Sequence, residues 1–419
     1  MKDIPVKVEL LRNTYPFRKE ATIIGFLEFD ENFYQQEMNL IDTNNQTPHI
    51  IFLIDTSYSM SEEDSNGLSK IEQVVEVLRT IIEDNLLDNM YISLVSFDEK
   101  ASVILNHLKV NENKQLILSK LNDLFHLGSA TYSYLGLEKI RNEVEILKGN
   151  ASRIIMFTDG EDFDELEALQ QTKLLLKKGV TLSTIGVGEE YNDEFLLSMA
   201  DEGKGSFYHL QSVNELLKEI QFDTANLKKE HIVNSDISLF HPRNVTPVEF
   251  YKVGDAGVVE LNVENQEILC GNIIKGDKIF FELKLNNIAK EGLYNILNGT
   301  IKYLVSGNPR TKEFSIKVRI SKILPKDENP SQEVMDLNKF ILLYKKAKLI
   351  SKLQNEGKED EARQIFYEIE PLASAVGLDG EIGNIISELD SGKTITKNLT
   401  RTLLSFTRTK TVTATKKGY

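Results

Sequence analysis

Residues 49–60 read HIIFLIDTSYSM, and this stretch decides the fold that the sequence predicts. Its first half, His49 to Ile54, is a short continuous apolar run, which is typical of a β-strand covered on both faces. A helix-spaced apolar pattern follows over residues 69–87, and further strands and helices alternate up to residue 228. Strands that alternate with helices predict a mostly parallel sheet with helices on both faces. We therefore expect an α/β domain over residues 48–228.

The segments on either side of this domain have the pattern of β-structure. Residues 1–47 hold two strand-like runs, with a turn at Asn13–Phe17 and a polar linker from Gln36 to Pro48. Residues 229–324 contain several candidate strands separated by glycines. Two strands cannot form a core alone, so we expect the N-terminal strands to complete an antiparallel β-sandwich built from residues 229–324.

The C-terminal part of the chain divides into a helical segment and a basic tail. Residues 325–390 show helical spacing, including a third short helix over 381–389. Residues 391–419 carry seven Lys or Arg, nine Thr and no acid, which leaves 42 basic against 64 acidic residues in the rest of the chain. The tail is open to three interpretations: a solvated end, an added edge strand and a kinase substrate. We expect it to support self-association or partner binding.

Composition excludes several classes of function. The chain has 419 residues, 41% of them apolar, and a net charge of −15, which argues against a nucleic-acid partner. Its single cysteine, Cys270, excludes a disulfide framework, and its six histidines lack the spacing of a zinc site. No signal peptide and no apolar run long enough to span a bilayer is apparent, so we expect a cytoplasmic protein without a membrane partner.

Polar side chains follow the buried strands at one edge of the predicted sheet. Asp55, Ser57 and Ser59 directly follow the first strand, and Asp159 follows the strand at 153–158. Thr131 lies in a glycine-containing loop before a helix. The carboxyl ends of parallel strands meet at one crevice, where ligands bind. Carboxylate and hydroxyl oxygens are hard ligands, so the pattern predicts a site for Mg²⁺ or Mn²⁺.

These five residues together resemble the von Willebrand factor A domain and its metal-ion-dependent adhesion site, in a cytosolic protein of bacterial type. The family has Asp-x-Ser-x-Ser after its first strand, a threonine before its third helix and Thr-Asp-Gly after its fourth strand. The resemblance implies that Ser57, Ser59 and Thr131 bind the metal directly. It also implies that Asp55 and Asp159 bind it directly or through water. A Glu or Asp of a protein partner would fill the remaining position.

Other interpretations of the same residues stay open. Aspartates and serines after strands often cap helices, and a bound metal can be purely structural. Asp55 as a nucleophile, with Asp159 and Asp162 at the metal, would make the protein a metal-dependent phosphohydrolase. A structural assembly protein is a third alternative. Our leading interpretation is a scaffold module that is not an enzyme and binds its partner through Mg²⁺.

Overall fold

The structure is a computed structural model that describes residues 6–29, 31–38, 47–64, 67–159, 162–188, 191–209, 213–254, 257–286 and 288–375. The predicted helix at 381–389 and the tail at 391–419 lie outside these residues. The chain divides into two compact units. We call residues 41–234 with 304–308 the α/β unit. The sheet unit is drawn from residues 1–40, 235–303 and 309–419.

The strands and helices have the following bounds. In chain order the strands are β1 Lys7–Leu10, β2 Thr14–Pro16, β3 Ala21–Glu28, β4 His49–Asp55, β5 Tyr91–Phe97, β6 Ala101–Lys109, β7 Ser152–Thr158, β8 Val180–Gly186, β9 Lys204–His209, β10 Ile232–Phe240, β11 Val245–Gly254, β12 Gly257–Leu261, β13 Val263–Glu264, β14 Glu267–Ile273, β15 Lys278–Leu285, β16 Gly292–Val305 and β17 Asn308–Ser321. The helices are α1 Glu31–Met38, α2 Lys70–Glu83, α3 Val110–Lys120, α4 Ser133–Glu143, α5 Glu165–Lys177, α6 Asp193–Gly203, α7 Val213–Leu227, α8 Gln332–Asn355 and α9 Glu359–Ala375, with short 3-10 helices at Tyr58–Ser61 and Leu121–Phe125.

The α/β unit contains a six-stranded sheet in the order β6-β5-β4-β7-β8-β9. All neighbouring strands in this sheet are parallel except β5 and β6. The central strand β4 is buried along its whole length. Its residues alternate between faces, so that Ile50, Phe52 and Ile54 join the core formed with α2 and α7. The opposite face carries Leu53, against which α4 packs closely at Gly136. The predicted α/β fold is confirmed.

The sheet unit contains two further sheets. Their strand orders are β1-β3-β15-β11-β12 and β13-β14-β10-β16-β17-β2. The N-terminal strand β3 pairs antiparallel with β15 in the first sheet, whereas β2 pairs parallel with β17 in the second. A buried lysine, Lys252 on β11, donates to the carbonyls of Cys270 and Asn272 on β14 and so connects the two sheets. The predicted additional β-structure is confirmed.

Two short N-terminal elements differ from the prediction. The turn expected at Asn13–Phe17 contains strand β2, whose Tyr15 is buried. The linker expected from Gln36 onward overlaps helix α1. Phe33 of that helix is buried and packs against Phe29 with the rings tilted and their centroids 5.3 Å apart. The Tyr34 hydroxyl donates to the carbonyl of Ile273 at 2.8 Å. Tertiary contacts of two aromatic residues thus stabilise a helix that is too short and polar to be recognised from its pattern.

Helices α8 and α9 follow the last strand, as the helical spacing after residue 325 predicted. Ser331 caps α8 by accepting a hydrogen bond from the Val334 backbone N–H. Among the helices of the described residues, none combines the length and the apolar character that crossing a membrane requires.

Candidate functional site

Asp55 ends the central strand and begins the candidate site. Its side chain is fully buried. Oδ1 accepts a hydrogen bond from the Ser57 backbone N–H at 2.9 Å, and Oδ2 accepts one from the Thr158 hydroxyl at 2.6 Å. Burial and the charge of Asp159 raise the pKa of Asp55 to about 7, although both hydrogen bonds act to lower it. A cation placed nearby would favour the charged form of this carboxyl group.

Two hydroxyl groups lie in the turn that follows Asp55. The Oγ atoms of Ser57 and Ser59 are 3.0 Å apart, and either can donate to the other. Ser57 is buried and Ser59 is half-buried, while the fully buried side chain of Met60 anchors the 3-10 helix behind them. The sequence Asp-Thr-Ser-Tyr-Ser therefore places two hydroxyl oxygens side by side next to a buried carboxyl group.

Thr131 lies on a second loop, which is hydrogen-bonded to both of its neighbours. The Gly128 N–H donates to the carbonyl of Thr56 at 2.8 Å, which ties this loop to the Asp55 turn. The Phe163 N–H donates to the carbonyl of Thr131 at 3.1 Å, which ties it to the segment after Asp159. The Thr131 side chain is buried. Thr131 itself joins the Asp159 segment through its carbonyl, and the Ser133 N–H adds a second link by donating to Asp162 Oδ2 at 2.9 Å.

Asp159 follows β7 and is also buried. Its Oδ2 accepts a hydrogen bond from the Lys70 ammonium at 3.0 Å, whereas its Oδ1 has no hydrogen-bond partner among the described residues. Lys70 begins α2, and its ammonium also donates to Glu62 at 2.6 Å. Burial acts to lower the pKa of Lys70, but the bonds to the two acids outweigh it and raise the pKa, so the side chain is charged.

Comparison with known proteins identifies the domain that carries this edge. Residues 49–222 match the family model of the von Willebrand factor type A domain. This stretch is a von Willebrand factor type A domain. Comparison with proteins of curated function finds no match to the chain.

Two solved structures resemble the chain over nearly its whole length. A von Willebrand factor type A protein from Catenulispora acidiphila has a TM-score of 0.75 at 14% identity, over 98% of both chains. VWA2, the ArnB paralog of Sulfolobus acidocaldarius, has a TM-score of 0.58 at 18% identity, over 96% of this chain and 97% of its own. At these identities the likeness concerns the fold alone.

The A domain has the kinds of oxygen ligand that a divalent cation needs at this edge. The unpaired Oδ1 of Asp159 is a buried acceptor, and the adjacent hydroxyls of Ser57 and Ser59 are neutral oxygen ligands. No group of three or more His, Cys, Asp or Glu side chains suited to a metal occurs in the described part of the chain. A cation at this edge would therefore depend on hydroxyls together with Asp55 and Asp159, a hard set that suits Mg²⁺ or Mn²⁺.

Sequence reasoning missed two residues of this site, Lys70 and Thr158. Thr158 fixes Asp55, and Lys70 occupies one oxygen of Asp159. A signal for Lys70 was present in the sequence. A lysine in the first turn of a helix opposes the helix dipole and needs an acidic partner nearby. The A domain supplies two such partners.

Proposed function

We propose that this chain is a protein-binding or scaffold protein that uses Mg²⁺ at the A domain to capture a Glu or Asp of its partner. The observation that carries the proposal is the pair of serine hydroxyls, 3.0 Å apart, beside a buried aspartate. A cation held mainly by neutral hydroxyls keeps much of its charge and binds an incoming carboxylate strongly. A domains often mediate protein–protein interactions, which supports the same function.

The burial of Asp55 argues against the phosphohydrolase alternative. A nucleophilic carboxylate needs an oxygen that is accessible to a substrate phosphorus atom. The Asp55 side chain is fully buried, and its oxygens accept hydrogen bonds from the Ser57 N–H and the Thr158 hydroxyl. We therefore propose a binding role without catalysis. A cytoplasmic location stays a prediction from the sequence.

Thermal unfolding with and without MgCl₂ tests the metal site. A ligand that binds only the folded protein raises the melting temperature, so Mg²⁺ should stabilise the wild-type chain. Asp55→Ala and Ser59→Ala should lose this shift. Ser61→Ala is the matched control. Ser61 lies in the same 3-10 helix, but its hydroxyl donates to the carbonyl of Tyr58, which is not a candidate metal ligand. A normal Mg²⁺ shift in both Asp55→Ala and Ser59→Ala would refute the assignment.

Chelation tests whether the metal is structural. The buried strands and helices supply the core of the A domain, and the candidate ligands lie only at its edge. EDTA should therefore abolish binding of an acidic partner while the circular dichroism spectrum stays unchanged. Loss of the spectrum on chelation would show that the metal holds the fold together, and the adhesion function would then be wrong.

A further inference from the structure

Large apolar side chains are exposed around the candidate metal edge. Leu166 is 75% exposed, Tyr58 72% and Phe163 71%. Among the large apolar residues that the structure describes, Ile323 alone is more exposed, at 83%. Single exposed apolar residues are normal on protein surfaces, but several around one site indicate an interaction surface. We call Tyr58, Phe163 and Leu166 the apolar rim.

Two members of the apolar rim, Tyr58 and Phe163, are tied to candidate ligands, and Leu166 lies three residues after Phe163. Tyr58 lies in the chain between Ser57 and Ser59. Phe163 is anchored by its backbone N–H to the carbonyl of Thr131, and its ring lies 5.5 Å from the ring of Tyr132, centroid to centroid. Leu166 follows in the first turn of α5. The loops that carry Tyr58 and Phe163 are both hydrogen-bonded to the Thr131 loop, so these two exposed side chains border the same edge as the candidate ligands.

The charges near the apolar rim restrict what can approach it. Glu63, Asp64 and Asp164 are exposed acids on the two loops that carry the rim, whereas the charge of Glu62 is paired with Lys70. A partner with several acids would be repelled by them, even though one acid is needed for the metal. Basic side chains of the partner that lie outside the apolar contact would be attracted by these acids. At 0.1 M salt this attraction is strongest when the charges are within ~10 Å of each other.

We propose that the partner presents a segment with one Glu or Asp, flanked directly by large apolar side chains and further out by Lys or Arg. This proposal rests on the proposed function, because the metal binds the central acid. The apolar rim supplies the contact energy and the selectivity, since aromatic residues near the centre of an interface carry much of its affinity. The acidic loops supply a preference for basic outer residues.

A peptide library with a fixed central glutamate and randomised flanks tests this proposal on the full chain. Selection in MgCl₂ should enrich Phe, Tyr, Leu or Ile next to the glutamate and Lys or Arg further out. We expect weaker binding of the selected peptide by each of the variants Tyr58→Ser, Phe163→Ser and Leu166→Ser, with a loss of about tenfold in affinity for Phe163→Ser. The Mg²⁺-induced rise in melting temperature should be kept in all three. Ile323→Ser is the matched control and should bind the peptide like wild type.

The two levels of the hypothesis fail in different ways. Enrichment without apolar flanks, unchanged binding by Phe163→Ser, or no enrichment despite a normal Mg²⁺ shift would overturn the partner proposal and leave the metal site standing. No Mg²⁺ shift in the wild-type chain, together with equal peptide binding in EDTA, would overturn the proposed function itself. If the glutamate of the peptide binds the metal, replacement of this glutamate by glutamine should abolish peptide binding.

Discussion

The ammonium of Lys70 lies 3.0 Å from Asp159 Oδ2 and 2.6 Å from Glu62 Oε2. It is therefore a cation that belongs to the protein and lies next to a candidate metal ligand. Its methylene chain passes Gly188, where a Cβ atom would lie 2.7 Å from Lys70 Cε. The positive φ of Gly188, +88°, favours glycine there, and a larger residue would press on the lysine side chain that reaches Asp159. The positive charge lowers the attraction that Asp159 can offer to a second cation.

Removal of this charge should strengthen metal binding. Lys70→Met keeps the length of the side chain but frees Asp159 Oδ2 and deletes one positive charge. We expect Mg²⁺ to bind about threefold to tenfold more tightly, as judged from the repulsion between charges a few ångströms apart near a protein surface. Titration calorimetry with MgCl₂ measures this. Lys109→Met, which removes a lysine that pairs with Glu112, is the control. Weaker binding would mean that Lys70 instead holds Asp159 in place for the metal.

The site shows what a sequence can and cannot reveal about single residues. Asp55, Ser57 and Ser59 follow an apolar strand at fixed spacing, so their proximity follows from local geometry. Asp159 is placed by a second strand of the same parallel sheet, which the pattern also predicted. The pairing of Lys70 with Asp159 joins residues 89 positions apart through a side chain, and no local pattern encodes it.

The same distinction holds for strands and helices. Strand β4 was predictable because both of its faces are buried, which leaves an unbroken apolar run in the sequence. Helix α7 was predictable because its apolar residues recur at helical spacing. Helix α1 was not, since it is anchored by distant contacts of Phe33, Tyr34 and the buried Glu37, and most of its residues are polar. Elements held by distant contacts leave little local signal.

The amino ends of β4 and β5 and the carboxyl end of the antiparallel β6 carry a polar cluster with a consequence for acid stability. His49 on β4 is buried, and its Nε2 is 2.9 Å from the Ser93 hydroxyl on β5. Its ring meets the ring of His107 on β6 at 4.7 Å between centroids. Burial, with a smaller contribution from the charge of His107, lowers the pKa of His49 to about 3. Between about pH 3 and pH 6.5, His49 is therefore protonated in the unfolded chain but not in the folded chain.

This difference predicts the pH dependence of stability. The unfolded chain protonates His49 below its ordinary pKa of about 6.5, whereas the folded chain does so only near 3. The neutral His49 contributes fully to the free energy of unfolding above pH 6.5. This contribution falls by about 1.4 kcal/mol per pH unit as the pH decreases from 6.5 towards 3. Urea unfolding between pH 7 and pH 4 should show a shallower loss for His49→Gln than for wild type. The exposed His126→Gln should keep the wild-type slope, and equal slopes for His49→Gln and wild type would contradict the prediction.

The charge of the whole chain is unevenly distributed along its sequence. The net charge is −15, but residues 391–419 contribute +7 and the remainder −22. Opposite charges on one chain attract within a molecule and between molecules, and salt screens both effects. The tail also has threonines at alternate positions from Thr407 to Thr415, which suits strand addition to another chain.

Deletion of residues 391–419 should therefore leave the fold intact and weaken self-association or partner binding. The described strands and helices, which end at Ala375, supply the buried cores of both units, so the circular dichroism spectrum should not change. Light scattering at low salt should show larger species for the full chain than for the deletion. The difference should shrink as the salt concentration rises and the screening length falls to ~10 Å.

A full-length variant with Arg408, Lys410, Lys416 and Lys417 changed to Gln separates charge from strand pairing, because it removes four of the seven positive charges and keeps the threonines. If charge drives association, this variant should behave like the deletion. If the deletion alone loses association at every salt concentration, strand addition is responsible, and identical behaviour of all three chains would assign the tail no part in association.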